Sequence, residues 1–179
     1  MQSIVKLLLC ATIVSVKAAE PNPPNWDGRR VKIINPGDGG AQGVIDSVFG
    51  DNGGDHSHGQ WSNNRYAIMF KPGNHNVNAR VGYYTQVIGL GETPKDTTLR
   101  GLDSPDGNSN PHNGALSNFW RAAENLQINN RVRWSVSQAA PIRRMQINNN
   151  LNLFDKGYSS GGFMADVFTT GTVNSGSQQ

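Results

Sequence analysis

The chain is poor in cysteine: Cys10 is its single thiol in 179 residues. It lies in the N-terminal stretch MQSIVKLLLCATIVSVKAAE, so nothing after that stretch can form an internal disulfide. Stability must come from packing and hydrogen bonds. Long apolar runs are also missing. The longest, Leu7 to Val16, is about ten residues, half of the ~20 needed to cross a bilayer, so no membrane span is expected. Preceded by Lys6 and followed by Ala18 and Ala19, it reads as a secretory signal peptide cleaved near Ala19. The expected organisation is a signal over 1–19, an extended Pro/Asn-rich segment over 20–26 and a domain over 27–179, in a secreted, extracellular protein. Charge is sparse at 16%. Without Lys6 and Lys17 the mature chain carries 14 basic and 13 acidic residues, about +1, which gives no reason to expect a nucleic-acid partner. Asn-x-Ser/Thr triplets, serine-nucleophile signatures and phosphate-binding loops are absent, and few stretches repeat with a helical period.

What is abundant is Gly and Asn, 21 of each. Both tolerate left-handed backbone and suit a chain of many tight turns. One short amphipathic helix is predicted over Ala41 to Phe49, with Asp38 or the neighbouring glycines at its start. Strands are predicted at Val31–Asn35, Arg65–Phe70 (stopped by Lys71-Pro72-Gly73), Val81–Tyr84, Val87–Leu90 and Thr98–Leu102. The last two put Gly89 and Gly101 in matching places. Shorter strands follow: Phe119-Trp120, Leu126–Asn129, Arg133–Ser137, Pro141–Asn148, Leu151–Phe154 and Phe163–Phe168.

The decisive pattern is a repeat. Gln127-Ile128-Asn129-Asn130 returns nineteen positions later as Gln146-Ile147-Asn148-Asn149, and Leu126 returns as Met145. A period near twenty built from short strands and turns marks a solenoid. In a parallel β-helix, alternate residues face a narrow apolar interior. That predicts inward columns Leu126/Met145/Ala165 and Ile128/Ile147/Val167. It also predicts stacked amides of Asn129 over Asn148 and Asn130 over Asn149, and an ion pair of Glu124 with Arg143. A β-sandwich, whose strands recur at ~8–12 residues, is the other architecture. The nineteen-residue spacing, the paired asparagines and the lack of hairpin turns favour the β-helix.

The order of a Gly-rich start, a short helix, RYAIMFKPGNHNV, VIGLG and TLRGL resembles the entrance of the pectate-lyase-like right-handed parallel β-helices. Phe70-Lys71-Pro72-Gly73 matches half of their strand-to-turn signature, with His75 or Asn76 where an aromatic is usual. VGYYTQVIGLG, ALSNFWRAAENLQIN, WSVSQAAPIRRMQIN and SGGFMADV look like a group of secreted microbial β-helix proteins, often labelled coagulation-factor-5/8-type domain proteins. The resemblance covers about Asp27 to Gln179. It implies an all-β, right-handed parallel β-helix with an N-terminal capping helix. It also implies that further coils usually follow, so that this chain is truncated relative to the group, with an open end through which it could self-associate.

Such stacked strands suit an extended polymer, and the partner expected from the resemblance is a polysaccharide or cell-wall glycan. Glycoside hydrolysis needs two carboxylates ~5–10 Å apart. The candidates are Asp166, Asp155 and Glu124, set against a turn role for Asp155 and the Arg143 pair for Glu124. A polysaccharide lyase would instead need Ca²⁺, for which no tight Asp cluster is seen, or a basic residue to abstract the proton; Arg121, Arg143 and Arg144 are candidates to bind an acidic sugar. Trp61, Tyr83, Tyr84, Trp120 and Trp134 are candidates to stack on sugar rings, Trp120 and Trp134 foremost, although such aromatics often fill cores. His56-Ser57-His58 has metal-ligand spacing but no third ligand nearby, so neither a metal nor another cofactor is expected. The competing reading is a non-catalytic secreted binding or effector protein acting at a cell wall or on a host.

Overall fold

The computed structural model describes residues 29–52, 59–105, 115, 118–155 and 159–177. The expected signal peptide, the 20–26 segment, the His56-Ser57-His58 motif and His112 lie outside them. Within them are one α-helix and eleven strands, every pair of which is parallel. In order they are β1 (Val31–Ile34), α1 (Ala41–Asp51), β2 (Tyr66–Phe70), β3 (Gly73–Arg80), β4 (Thr85–Gly89), β5 (Thr97–Ser104), β6 (Arg121–Ile128), β7 (Val132–Trp134), β8 (Pro141–Ile147), β9 (Leu151–Asn152), β10 (Phe163–Thr169) and β11 (Val173–Asn174).

The strands pile into three stacks. The first runs β1, β2, β4, then the first halves of β6, β8 and β10. In the second, the starts of β3 and β5 are followed by the second halves of β6, β8 and β10. The ends of β3 and β5 with β7, β9 and β11 make the third. Long strands such as β6 serve two stacks because they bend. Asn125, Arg144 and Asp166 hold φ of 58°, 50° and 52° at equivalent corners of β6, β8 and β10. A left-handed non-glycine residue costs ~1–2 kcal/mol, and Asn125 offsets this by donating from its amide to the carbonyls of Gly89 and Gly91. Gly89 must lack a side chain, since a Cβ there would come 2.0 Å from the Asn125 carbonyl oxygen.

Alternation along each strand buries one set of side chains between the stacks. Ile68, Phe70, Val87, Leu99, Leu102, Leu126, Ile128, Val132, Ile142, Met145, Ile147 and Leu151 form this interior. α1 lays Ala41, Ile45 and Val48 onto the same core, and Gln42 exchanges hydrogen bonds with the backbone of Asn78 on β3. Apolar spacing at i, i+4 and i+7 gives the helix its buried stripe.

The predicted register holds for the repeat. Leu126 pairs with Met145, Ile128 with Ile147, and Glu124 with Arg143. The Asn148 amide donates to Asn129 Oδ1 at 2.9 Å. Asn149 departs from the expected second ladder, its side-chain oxygen accepting from the Asn150 N–H instead. The next step is 22 residues, three longer than the 19 of the repeat, so Met145 pairs with Val167 and Ile147 with Thr169, not with Ala165 and Val167 as expected. Gly89 and Gly101 do not stack, because Gly89 closes a strand of the first stack and Gly101 lies in the third. The expected Val81–Tyr84 strand is a turn, and the Asn-rich Gly73–Arg80, for which no strand was predicted, is β3. There His75 packs its ring edge-on against Phe70 and bonds the Lys71 carbonyl, filling the place of the expected aromatic.

The ion pairing differs from expectation too. Among the described residues, the salt bridges join Arg133 to Asp103 and Asp155, not Glu124 to Arg143. Arg133 donates to both Asp103 oxygens at 2.6 and 2.8 Å and to Asp155 at 2.5 Å, clamping β5, β7 and the segment after β9. Partial burial lowers the Arg133 pKa, but the Asp103 hydrogen bonds and the two carboxylate charges more than offset this and leave it raised. Removing it strands two half-buried carboxylates side by side. Arg133→Ala should lower unfolding free energy by about 1–3 kcal/mol in urea titrations, between the costs of exposed and fully buried pairs.

Candidate functional site

A second line of corners sits where each coil enters the first stack. Tyr84 and Trp120 each have φ of 51° and Ala139 has φ of 55°. Each lies one step before register-equivalent strand positions, and the Tyr84 N–H donates to the Trp120 carbonyl. Arg65 occupies the same place before β2. Equivalent corners put equivalent side chains on top of one another. The Arg65 guanidinium lies 3.5 Å from the Tyr84 ring centroid, and Tyr84 stacks on Trp120 at 5.3 Å with 4° between planes. Trp61 tilts against Trp120 at 6.1 Å and Phe119 packs beside it at 5.1 Å. Arg65 is tied to the carbonyls of Ser62 and Asn64, and the Tyr84 hydroxyl to that of Gln60, so the assembly is held in place. Ala139, next in line, is exposed and too small to cover the far face of Trp120.

Beside this wall runs a groove of about 520 Å³ along the outer face of the first stack, with Arg30, Tyr66, Ala67, Gln86, Ala122 and Pro141 along its floor and rim. Small outward residues keep it open. It is apolar and aromatic, edged by guanidinium groups, and none of its lining residues is an Asp or Glu. Tyr66 donates to Asp51 Oδ2 at 2.7 Å, with Arg30 over its ring.

The candidate residues fall in different places. Trp120 is on the groove wall, as a sugar-stacking role requires. Trp134 is buried, its indole N–H donating to the Ala140 carbonyl, so it fills the core. Arg121 also points inward. Its guanidinium donates to the carbonyls of Val81 and Phe119 and to Ser104 Oγ, lies 4.8 Å from the Tyr83 ring centroid, and leaves Nη2 without a partner. Burial, opposed by Tyr83, pushes its pKa down to about 10. Both side chains are buried, at 2% exposure, although Arg121 borders the groove from within. Arg143 and Arg144 are exposed, with Arg144 donating to the Glu92 carbonyl. Glu124 is the next outward residue of β6 after Ala122, roughly 7 Å along the strand, at the margin of the groove. Asp166 is exposed at its corner two strands further on, roughly 10 Å away at ~4.8 Å per strand. Asp155 lies with Arg133 by the third stack and is not brought to these two. The sequence reading missed the Arg65–Tyr84–Trp120 pile. Its only trace was a bulky residue, Arg65, Tyr84 and Trp120, immediately before each of β2, β4 and β6. Among the described residues, no group of three or more His, Cys, Asp or Glu side chains could hold a metal, and no helix is long and apolar enough to cross a membrane.

The comparisons with known proteins bear on this geometry. The chain is 44% identical over 158 residues to an exo-β-1,3-glucanase of Streptomyces sp. (strain SirexAA-E / ActE), a match covering 85% of this chain and 25% of the enzyme. Among solved structures it is similar to sacteLam55A from Streptomyces sp. SirexAA-E, with a TM-score of 0.70 and 41% identity over 78% of this chain and 26% of that one. A variant of sacteLam55A refined in complex with glucose matches with a TM-score of 0.69 and 42% identity. This chain therefore spans about a quarter of the length of the relatives it matches. No protein-family model matches it. The similarity is to a carbohydrate hydrolase; neither the pectate-lyase-like nor the coagulation-factor label occurs in these matches.

Tyr66 gives a direct test of the groove floor. Burial first, then the Asp51 hydrogen bond and charge, raise its pKa above 10, with Arg30 opposing. Its phenol is thus favoured in the fold, a stabilisation complete below pH ~10 and lost as pH rises through the folded pKa. Ultraviolet difference titration of the protein against Tyr66→Phe should show this phenol ionising above pH 10; ionisation at or below 10 would contradict the packing described.

Proposed function

We propose that this chain is a secreted carbohydrate-binding β-helix segment of the exo-β-1,3-glucanase kind, which seats a β-1,3-glucan chain in the groove beside Tyr84 and Trp120. The three parallel stacks support closure into a right-handed parallel β-helix capped by α1 at its first coil. The observation that carries the reading is the Trp120 ring, stacked flat against Tyr84, partly exposed and lining the groove. Sugar rings present C–H faces that pack on such a surface, and Gln86 supplies an amide on the floor for a hydroxyl. The 44% identity to an enzyme named for β-1,3-glucan selects the polymer.

The groove wall supports binding more than bond cleavage, since it contains no carboxylate. Where hydrolysis occurs, Glu124 is the nearest candidate acid or base, with Asp166 as the other exposed carboxylate. This observation also favours the second reading, a non-catalytic glycan-binding protein at a cell wall.

Calorimetric titration with linear β-1,3-gluco-oligosaccharides tests the proposal. Binding is expected, with Trp120→Ala weakening it about tenfold or more, equivalent to ~1.4 kcal/mol. Absence of binding to any chain length, or an unchanged Kd in the variant, would overturn it. In parallel, any glucose release from the polymer should disappear in Glu124→Gln while binding persists.

A further inference from the structure

The outer face of the second stack carries a column of polar side chains. Asn74, Thr98, Gln127 and Gln146 are register partners on β3, β5, β6 and β8. The hydrogen bonds that cross between strands here run in one sense. Asn148 Nδ2, after β8, donates to Asn129 Oδ1, after β6, at 2.9 Å, and Gln127 Nε2 on β6 donates to Thr98 Oγ1 on β5 at 3.1 Å. Gln146 Nε2 holds the Asn148 amide in this sense by donating to its Oδ1 at 2.8 Å. A side-chain amide is planar, with its donor nitrogen set apart from its acceptor oxygen. With Oδ1 turned to Asn148, the Nδ2 of Asn129 faces away from β8, on the side of β5. Thr98 Oγ1, having accepted from Gln127, keeps its own O–H to donate.

This ladder ends at a groove. Asn76, Thr98, Arg100 and Asn129 border a space of about 470 Å³ at the corner between the second and third stacks. A bulge opens it. β3 and β5 pair His75 with Leu99 and Asn78 with Gly101, so Asn76 and Val77 stand opposite Arg100 alone. Bulges interrupt pairing and re-aim side chains. None of the residues lining the groove is an Asp or Glu. Among the described residues the salt bridges belong to Arg133, not to Arg100. The groove therefore offers a guanidinium, an amide nitrogen fixed by the ladder and a hydroxyl with a proton to give. Aligned amide dipoles add a positive end on the same side, as aligned peptides do at a helix N-terminus. A surplus of donors without a carboxylate suits an oxyanion. It suits a neutral sugar less well, since sugar hydroxyls need acceptors as well as donors.

We propose that this corner groove is a binding site for an oxyanion, the carboxylate or phosphate of a small ligand. Arg100 is its ionic partner, and Asn129 Nδ2 and Thr98 Oγ1 donate to its oxygens. The site lies on a different stack from the aromatic groove, so this inference does not depend on the glycan reading.

Chemical-shift titration of the nitrogen-15-labelled chain tests it, with glucuronate, inorganic phosphate and glucose as probes at constant ionic strength. The two anions should give saturable shifts centred on the Asn129 side-chain amide and the Arg100 Nε–H, and glucose none. Tighter binding of glucuronate supports the site with an acidic sugar as its ligand; tighter binding of phosphate supports it with the free anion. Arg100→Gln should weaken binding about tenfold or more, as the loss of a charge-assisted pair implies. Asn129→Asp is the sharper variant. Its carboxylate still accepts from Asn148 and Gln127, so the ladder stays, while the donor facing the groove becomes a negative oxygen. Binding should then disappear, whereas Trp120→Ala should leave it unchanged. Shifts that do not saturate with either anion, equal binding of glucose, or an unchanged Kd in either groove variant would overturn the proposal.

Discussion

Everything in this structure depends on the parallel strands of each stack lying in register, one strand spacing of ~4.8 Å apart. The inward side chains enforce that register. Ile128 over Ile147 and Leu126 over Met145 leave no room for a one-residue slip, which would turn every apolar side chain outward and every polar one into the core. Register then dictates the corners. Because each coil bends at the same place, left-handed residues accumulate in lines: Asn125, Arg144 and Asp166 along one edge, and Tyr84, Trp120 and Ala139 along another. The aromatic wall is thus a by-product of fold geometry put to use. Three side chains from distant parts of the sequence meet because their backbones occupy equivalent turns, not because the rings seek one another.

Fold and site are joined through the interior by Arg121. Burying a guanidinium without a carboxylate is costly, and its partners are two carbonyls and a hydroxyl, with one nitrogen left over. One of those carbonyls belongs to Phe119, the residue before Trp120. The buried charge therefore pins the corner from which the exposed indole projects. Polar groups elsewhere in the interior follow the same logic at lower cost: Asn118 bridges the carbonyls of Pro105 and Ser135, and Ser135 meets Ser159 across coils.

The parallel pairing was legible in the sequence because a short phrase repeats with its apolar positions intact, and Ile128, Ile147, Glu124 and Arg143 could be aligned by eye. The third strand of this set was misaligned because its extra residues fall between Asn152 and Ser159, outside the repeated phrase that marks the register. β3 was hidden for a related reason. Its Asn-rich outward positions look like loop, and only Val77 and Ala79 betray a buried face. The site was harder. Arg121 and Trp134 belong to residue types that bind sugars when exposed, and composition does not say which way a side chain points. Trp120 was identified, but its partners Tyr84 and Arg65 become neighbours only once the register is known.

That register can be read chemically. In a background with Cys10→Ser, cysteines replace Glu124 and Arg143, two outward neighbours whose substitution leaves the core untouched, and a short fluorogenic bis-thiol reagent such as dibromobimane is added. Efficient intramolecular cross-linking of this pair, and its loss when the second cysteine is moved to Gln146, is the predicted result. Failure of the Glu124/Arg143 positions to link in the folded protein, or preferential linking of the displaced pair, would contradict the stacking on which the aromatic wall rests.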